Sequence, residues 1–423
     1  MNKLKNYILS LKLKNIKMYK VLMISFYLIF YLSLAFNKVK CNIILTPKEF
    51  HNVDFSSFTQ EHNVNYLASI DDLNIYKTDI DNYNKYKNTF RYLFDVEKEQ
   101  SYTVNPIVHN LNEENSFLLF VQEPGKLEFT IEESVPWHLD RLSKRHLPLN
   151  GSYAYNTPGS CHKNSNVEIH TYIVDTGVDV NHHEFEGRAK FLENFTDDNK
   201  DYDCNSHGTF CSSQIGGLKA GVCKDSKLFA VKVLNCEGSG STSGVIAGME
   251  YVFKRHLQNE KKNPKVRSIM SMSLGGGKSL AMNRAVEKMV KMSDTFYIVV
   301  ASGNENQDAK NTSPASARGI FTANAMDKND QRAYFSNYGS STDIYSPGVS
   351  NYGAVLDNKY AIESGTSFST PILAGIMNHY LDMYPDLNMK RLKEKILNDA
   401  TKDTIKGNPK NTPNLMVFLE RND

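Results

Sequence analysis

Short apolar runs, each closed by a polar or glycine-rich turn, recur along the later part of this chain. "EIHTYIVDTG" (168–177) reads as a buried strand ending in a turn, and "SKLFAVKVL" (226–234) as another. "CEGSGSTSG" then leads into "VIAGMEYVFKRHL", whose apolar positions recur at helical spacing. "VRSIMSMSLGGG", "TFYIVVASGNEN", "RGIFTANAM" and "STDIYSPG" continue the series of strands. Apolar strands alternating with helical stretches predict an α/β fold, a mostly parallel sheet wrapped by helices. In such sheets functional groups collect beyond the carboxyl ends of the strands, where the polar turns of this chain fall. Residues 37 to about 130 have a different texture, rich in Asn, Tyr and Lys with brief apolar runs. They read as a small mixed α/β module ahead of the main domain.

The N-terminus changes the picture again. Residues 1–20 carry six lysines and no acid, and Val21–Phe36 runs sixteen residues without a charge. A basic segment before a short apolar run is a secretory signal pattern, with small residues at Ser33 and Ala35 suited to cleavage after Ala35. A retained membrane anchor through residues 21–36 is the alternative, and Met18 is a second candidate start. A formal net charge of +2 argues against nucleic acid as a partner. The six cysteines suit an oxidising compartment, and Asn150, Asn194 and Asn311 stand in N-x-[ST] sequons.

"SGTSFSTP" (364–371) sets Ser367 just before the helix-like run "ILAGIMNHYL". Serine there has an ordinary reading as a helix cap. Asp175 before Thr-Gly reads as a turn residue, His207 in "NSHGTFC" as a capping or surface histidine, and Asn304 in "ASGNEN" as a turn asparagine. Together they say more. Serine acyl transfer needs a base on the hydroxyl, a carboxylate to hold that base's tautomer, and donors for the oxyanion. The four residues supply one of each, at strand ends or helix starts of one sheet, in the order Asp, His, Ser.

From about Pro136 to Phe418 the chain resembles the subtilisin-like serine proteases, and among them the proteinase K branch. The stretches that carry the likeness stand in family order: "VPWHLDRL", "YIVDTGVDVNHHEFEGRA", "DCNSHGTFC", "FAVKVLNCEGSGSTSGVIAGMEYV", "SMSLGGG", "VASGNENQDAKNTSPAS", "FSNYGSSTDIYSPG", "SGTSFSTPILAG" and "TPNLMVFL". The resemblance implies a three-layer subtilisin-like fold over residues 131–423, with Ser367 as nucleophile, His207 as base, Asp175 as its orienter and Asn304 as oxyanion donor. It implies that Gly238, Ser239 and Gly240 flank an extended peptide substrate on one side and Ser273, Leu274 and Gly275 on the other. "SLGG" (273–276) and "ASG" (301–303), with Ala301 and Gly303, then resemble the walls of the first specificity pocket. Those walls are small and neutral, with Glu305 the nearest acid, so an apolar or aromatic preference is expected.

The likeness also implies a Cys204–Cys236 disulfide and a cysteine at 211 near the histidine, which reads as the buried, inert thiol such cysteines usually are. Cys161 with Cys223 is a further candidate pair, leaving Cys41 unpaired. It implies a structural calcium at Asp343 with carbonyls near Arg318 and Ile320, while the chemistry itself requires no cofactor. "HHEFE" (182–186) lacks the spacing of a zinc helix. Residues 37–130 stand where the family carries a propeptide that acts as chaperone and inhibitor, expected to be cut between about 115 and 134; "SKR" (143–145) lies inside the mature-like block. Phe210, Ser212, Ser213 and Phe368 depart from the family pattern beside the site. The expectation is a secreted, self-processed endopeptidase acting on polypeptides in the secretory pathway or at the cell surface. A membrane-anchored processing protease and a partner-binding pseudoprotease are the alternatives.

Overall fold

The computed structural model describes residues 42–48, 55–104, 107–109, 129–156 and 167–419. The basic start, the apolar stretch 21–36, Cys41 and Cys161 lie outside the described residues. Among the described residues no helix is long and apolar enough to cross a membrane.

The lead module forms a four-stranded antiparallel sheet. Strands β1 (Asn42–Pro47), β2 (Asn65–Ile70), β3 (Leu73–Asp79) and β4 (Phe94–Lys98) stand in the order β2-β3-β1-β4. Helices α1 (Phe55–Glu61), α2 (Ile80–Lys85) and α3 (Lys87–Leu93) cover one face. That side packs Leu45, Tyr76, Phe90 and Phe94 into a small core of its own. The chain then runs through β5 (Ser101–Thr103), β6 (Ile107–His109) and β7 (Phe129–Glu133), followed by helix α4 (Trp137–Leu142) and strand β8 (Ser152–Asn156), which pairs with β7.

The main domain is built on β9 (Glu168–Asp175), β10 (Ala189–Asn194), helix α5 (His207–Gly216), β11 (Lys227–Lys232), β12 (Ser239–Ser241) and helix α6 (Thr242–Lys262). It continues through β13 (Val266–Met272), the short β14 (Gly276–Gly277), helix α7 (Leu280–Met292), β15 (Phe296–Ala301), β16 (Thr312–Ser313) and β17 (Phe321–Met326). Then come β18 (Ile344–Pro347), the hairpin β19 (Asn351–Val355) and β20 (Lys359–Ser364), and helices α8 (Thr366–Met383) and α9 (Met389–Asp399). Strands β21 (Thr401–Lys402) and β22 (Leu415–Met416) close the chain. The nine-stranded sheet has the order β10-β11-β9-β13-β15-β17-β18-β22-β21. Its pairs are parallel except for β21 with β22.

The mostly parallel sheet matches the strand series read from the sequence, and β15 and β17 are buried at every position, as sheets covered on both faces require. Strand β10 and the β19–β20 hairpin were not foreseen. The hairpin turns through Asp357 and Asn358, both left-handed at φ 61° and 59°, a turn chemistry Asp and Asn tolerate. Helix α8 crosses the middle of the molecule, and every residue from Thr366 to Asp382 is buried. Its middle, residues 371–377, is wholly apolar or small and belongs in a core, and its N-terminus is thereby delivered to the carboxyl edge of the sheet.

The lead module sits on helices α6 and α7 through charge as well as apolar contact. Glu99 accepts the Ser243 N–H at 3.2 Å at the start of α6. Glu97 accepts the Leu280 N–H at 2.8 Å and the Ser279 hydroxyl at 2.5 Å at the start of α7. Two carboxylates thus satisfy helix N-termini, where unpaired N–H groups and the helix dipole favour negative charge. Burial raises the Glu99 carboxyl, but Ser243, Asn42 and Lys77 outweigh it and hold the group below its ordinary value. Its contribution is therefore present above the usual carboxylate range and lost as pH falls through that lowered value. Glu97→Gln with Glu99→Gln is expected to weaken docking by about 1–3 kcal/mol. Limited proteolysis of the intact chain should then cut the lead module faster than in the parent.

Candidate active site

Asp175 ends β9 and His207 begins α5, and both are buried. The two elements meet because Gly208 has no side chain: a Cβ there would lie 2.0 Å from the Gly177 carbonyl oxygen. Asp203, 3% exposed, fastens them together. Its Oδ1 accepts the Thr176 hydroxyl at 2.9 Å and the N–H groups of Asn205 and Ser206 at 2.9 and 3.1 Å. Its Oδ2 accepts the Thr209 N–H at 3.0 Å and hydroxyl at 2.6 Å. The Thr176 hydroxyl in turn accepts the Gly208 N–H at 3.0 Å. Sequence reasoning gave Asp203 no role. Its signal was local: an aspartate four residues before a helix-opening histidine, in the position of a residue that gathers turn N–H groups.

The arrangement brings His207 Nδ1 to 2.7 Å from Asp175 Oδ1, both side chains being 0% exposed. With the carboxylate accepting, Nδ1 carries the proton and Nε2 holds the lone pair. Nε2 has no hydrogen-bond partner among the described residues. Burial alone lowers the basicity of this ring, but the Asp175 carboxylate and the Cys211 sulfur more than offset it, raising the pKa well above the ordinary value.

Ser367 is the second residue of α8. Its hydroxyl donates to the Ser273 carbonyl at 3.2 Å, and the Ser273 hydroxyl donates back to the Ser367 carbonyl at 2.7 Å. Cys211 Sγ lies 3.4 Å from that same carbonyl oxygen and 3.9 Å from His207 Nδ1. Burial pushes the Cys211 thiol up, which keeps it protonated and suits the expected inert thiol. Asn304 follows β15 and uses its Oδ1 to accept the Thr366 N–H at 2.9 Å and hydroxyl at 2.8 Å. That leaves Nδ2 to donate. The Phe210 and Phe368 rings lie 4.4 Å apart, and Phe368 also lies 5.5 Å from the His207 ring. A Cβ on Gly353 would come within 2.7 Å of the Phe210 ring. The two departures from the family pattern therefore pack on each other behind the histidine, in a dry cluster with Cys211.

A cavity of about 270 Å³ opens beside Ser367 and Asn304, lined by Leu274, Gly275, Ala301 and Gly303. All four belong to the segments expected to wall it, 273–276 and 301–303. Ser273 is instead buried on the Ser367 carbonyl, and Tyr334 and Phe335 join the lining unforeseen. Glu305 also lines the cavity, with its Oε2 accepting the Asn337 Nδ2–H at 2.6 Å. Gly303, at φ 105°, makes room for that pair: a Cβ would lie 2.3 Å from Asn337 Nδ2 and 2.5 Å from Glu305 Oε2.

The cleft holds part of the same chain. β5 pairs antiparallel with β12, setting Thr103 opposite Ser239 and Tyr102 opposite Gly240, and Val104 donates its N–H to the Gly238 carbonyl at 3.0 Å. On its other side Thr103 bridges Gly275. This is the middle-strand position expected of a substrate. β6 then pairs with β20, setting Ile107 opposite Ser364, three residues before Ser367. Asn105 and Pro106, which join the two strands, lie outside the described residues, as does most of the 115–134 window. Cys204 and Cys236 form a disulfide that ties the histidine turn to the loop before β12. Cys223 is also disulfide-bonded.

The sequence profile described as the subtilase family, Peptidase_S8, matches residues 170–415. A subtilisin-like serine protease of Rhodotorula mucilaginosa, Rho m 2.0101, is 40% identical over 69% of this chain and 87% of its own. Alkaline protease 2 of Aspergillus fumigatus is 39% identical over 68% of this chain and 61% of its own. Cerevisin of Saccharomyces cerevisiae is 37% identical over 73% of this chain. The match spans only 51% of cerevisin's own length. The crystal structure of a cold-adapted subtilisin-like serine proteinase superposes with a TM-score of 0.61 at 35% identity, over 69% of this chain and all of that one.

Two outcomes follow from this geometry. Asp203→Ala is expected to lower kcat with little change in KM, and to lower stability by about 3 kcal/mol through orphaned buried donors. Steady-state kinetics and a denaturant melt on the same sample read both. With His207 as the base that the resemblance implies, its raised basicity predicts that kcat/KM falls with decreasing pH through a value above 6.5.

Proposed function

Because the chain belongs to the subtilase family of serine endopeptidases, we propose that it cleaves polypeptides through Asp175, His207 and Ser367 and is made as a precursor inhibited by its own lead. The observation that carries this reading is the buried 2.7 Å His207–Asp175 bond at the edge of a cleft whose substrate position is taken by residues of the same chain. Catalysis in this family needs no cofactor.

In the proposed reaction the Ser367 hydroxyl leaves the Ser273 carbonyl and attacks the scissile carbonyl carbon as His207 Nε2 takes its proton. The oxyanion accepts from Asn304 Nδ2 and from the Ser367 N–H, an N–H of the first helical turn with no partner within the helix. His207 then gives its proton to the leaving amine, and the acyl ester on Ser367 is released by water, activated by the same imidazole. Asp175 holds the tautomer and stabilises the imidazolium. Gly238–Gly240 and Gly275 bind the peptide by backbone pairing, which gives affinity with little dependence on sequence. The lining of Leu274, Ala301 and Phe335, with Glu305 tied to Asn337, supports an apolar or aromatic first-pocket preference.

Residues 37 to about 130 act in this reading as an inhibitor laid in the cleft. The pairings of β5 with β12 and of β6 with β20 support this reading, because they lay two strands of the lead along the edges of the main domain. Processing is proposed between about 115 and 134, as the resemblance implies. Secretion, with residues 1–36 removed or kept as an anchor, belongs to the same proposal.

N-terminal sequencing together with turnover of an apolar peptide tests this. The parent should lose its lead and cleave the peptide, whereas Ser367→Ala should stay full-length and inert. If the two behave alike, uncut and inactive, the protease reading fails. Asn304→Leu should process and fold but lose roughly 10²–10³ in kcat.

A further inference from the structure

Asp343 precedes β18, at the position where the sequence led to calcium with carbonyls near Arg318 and Ile320. With Lys393 in the seat, the donor set does not fit that ion. Calcium takes six to eight oxygen ligands. Here a single carboxylate faces the seat, and its Oδ2 already accepts the Thr322 N–H at 2.8 Å. Among the described residues Asp343 belongs to no cluster of three potential metal ligands. The cation at this seat is instead part of the chain. Lys393, from the second turn of α9, places Nζ 2.7 Å from Asp343 Oδ2 and donates to the Ile320 carbonyl at 2.5 Å. The same ammonium lies 5.4 Å from the centre of the Phe321 ring. Both partners are largely covered, the side chains being 22% and 17% exposed.

We propose that Lys393 is a built-in cation that stands in for a divalent ion at this seat, linking α9 to the starts of β17 and β18 and freeing this corner of the fold from calcium. One oxygen from each strand region converges on a positive charge in either arrangement. The difference is that an ammonium delivered by the chain is present at any calcium concentration, and its entropy of capture was settled when α9 docked. An ammonium also needs only a few acceptors, so a sparse donor set that would hold an ion weakly suffices here.

The test uses the full chain carrying Ser367→Ala to prevent self-digestion, with calcium uptake by equilibrium dialysis and Tm in EDTA or excess calcium chloride. Other calcium sites do not interfere, because each comparison is a difference at one residue. The parent and Asp343→Asn should bind the same number of calcium ions. Lys393→Ser should bind one more, and lose it again when Asp343→Asn is added. Lys393→Ser should also melt roughly 2–4 °C lower in EDTA and recover when calcium is supplied. If Asp343→Asn costs the parent one ion, calcium displaces the lysine and the proposal is wrong. If Lys393→Ser gains no ion, the seat is not a cation site and the proposal is equally wrong. Should Lys393→Ser fail to fold, the parent against Asp343→Asn still decides, because an Asp343-dependent ion there overturns it.

Discussion

Pro371 removes from helix α8 the N–H that would have closed on the carbonyl of Ser367, four residues earlier. An interior proline of this kind ordinarily costs about 3 kcal/mol and leaves a buried acceptor unpaired. The fold answers with the Ser273 hydroxyl at 2.7 Å and the Cys211 sulfur at 3.4 Å. Those donors come from the end of β13 and from the helix that begins with His207. One carbonyl oxygen therefore gathers three elements, and the relative positions of the serine, the histidine helix and the wall of the cleft follow from satisfying it. Because α8 is buried along its length, no solvent is available to do the job instead.

Dryness behind the histidine is the second requirement. Phe210 and Phe368 exclude water from the side of the ring away from the cleft, and the 2.7 Å bond to Asp175 gains strength from that low-dielectric setting. Aromatic packing and the buried carboxylate both fix the ring, while on its basicity they oppose each other, burial lowering it and the Asp175 carboxylate more than offsetting that loss. The pair is self-consistent: Phe210 fits because Gly353 has no side chain, and Phe368 fits because Phe210 faces it.

Fixed positive charge recurs at the edges of the sheet. Lys232, with its side chain 0% exposed, donates to the Thr176 and Leu234 carbonyls at 2.9 Å each and pairs with Asp198 at 3.2 Å, holding the turn that follows Asp175. Lys393 serves α9 in a similar way. Negative charge is used in the complementary manner by the lead module, whose Glu97 and Glu99 sit at helix N-termini of the main domain. Backbone dipoles and lysines set where the loops rest, and the lead module borrows the same N–H groups when it docks.

Much of this was legible without coordinates. The strand series, the parallel sheet and the identities of Asp175, His207, Asn304 and Ser367 rest on local patterns: apolar runs, the turns that close them, and the residue types acyl transfer requires. The Cys204–Cys236 bridge and the pocket-wall residues Leu274, Gly275, Ala301 and Gly303 could be anticipated through resemblance. What the tertiary structure alone decided lies in contacts between residues far apart in sequence. Ser273 faces a helix 94 residues away instead of the pocket. Lys393 reaches an oxygen 73 residues away, Ile320 O, where an ion was expected. Glu97 and Glu99 cap helices that begin more than a hundred residues later. Residues 101–104 enter the cleft of the domain they precede because its strand edges, Gly238–Ser241 and Gly275, are open to any extended chain. Local pattern specifies which elements form and which chemistry they carry. The partner of a lone carboxylate, ammonium or strand edge is chosen by packing, which brings together groups that no spacing along the chain connects.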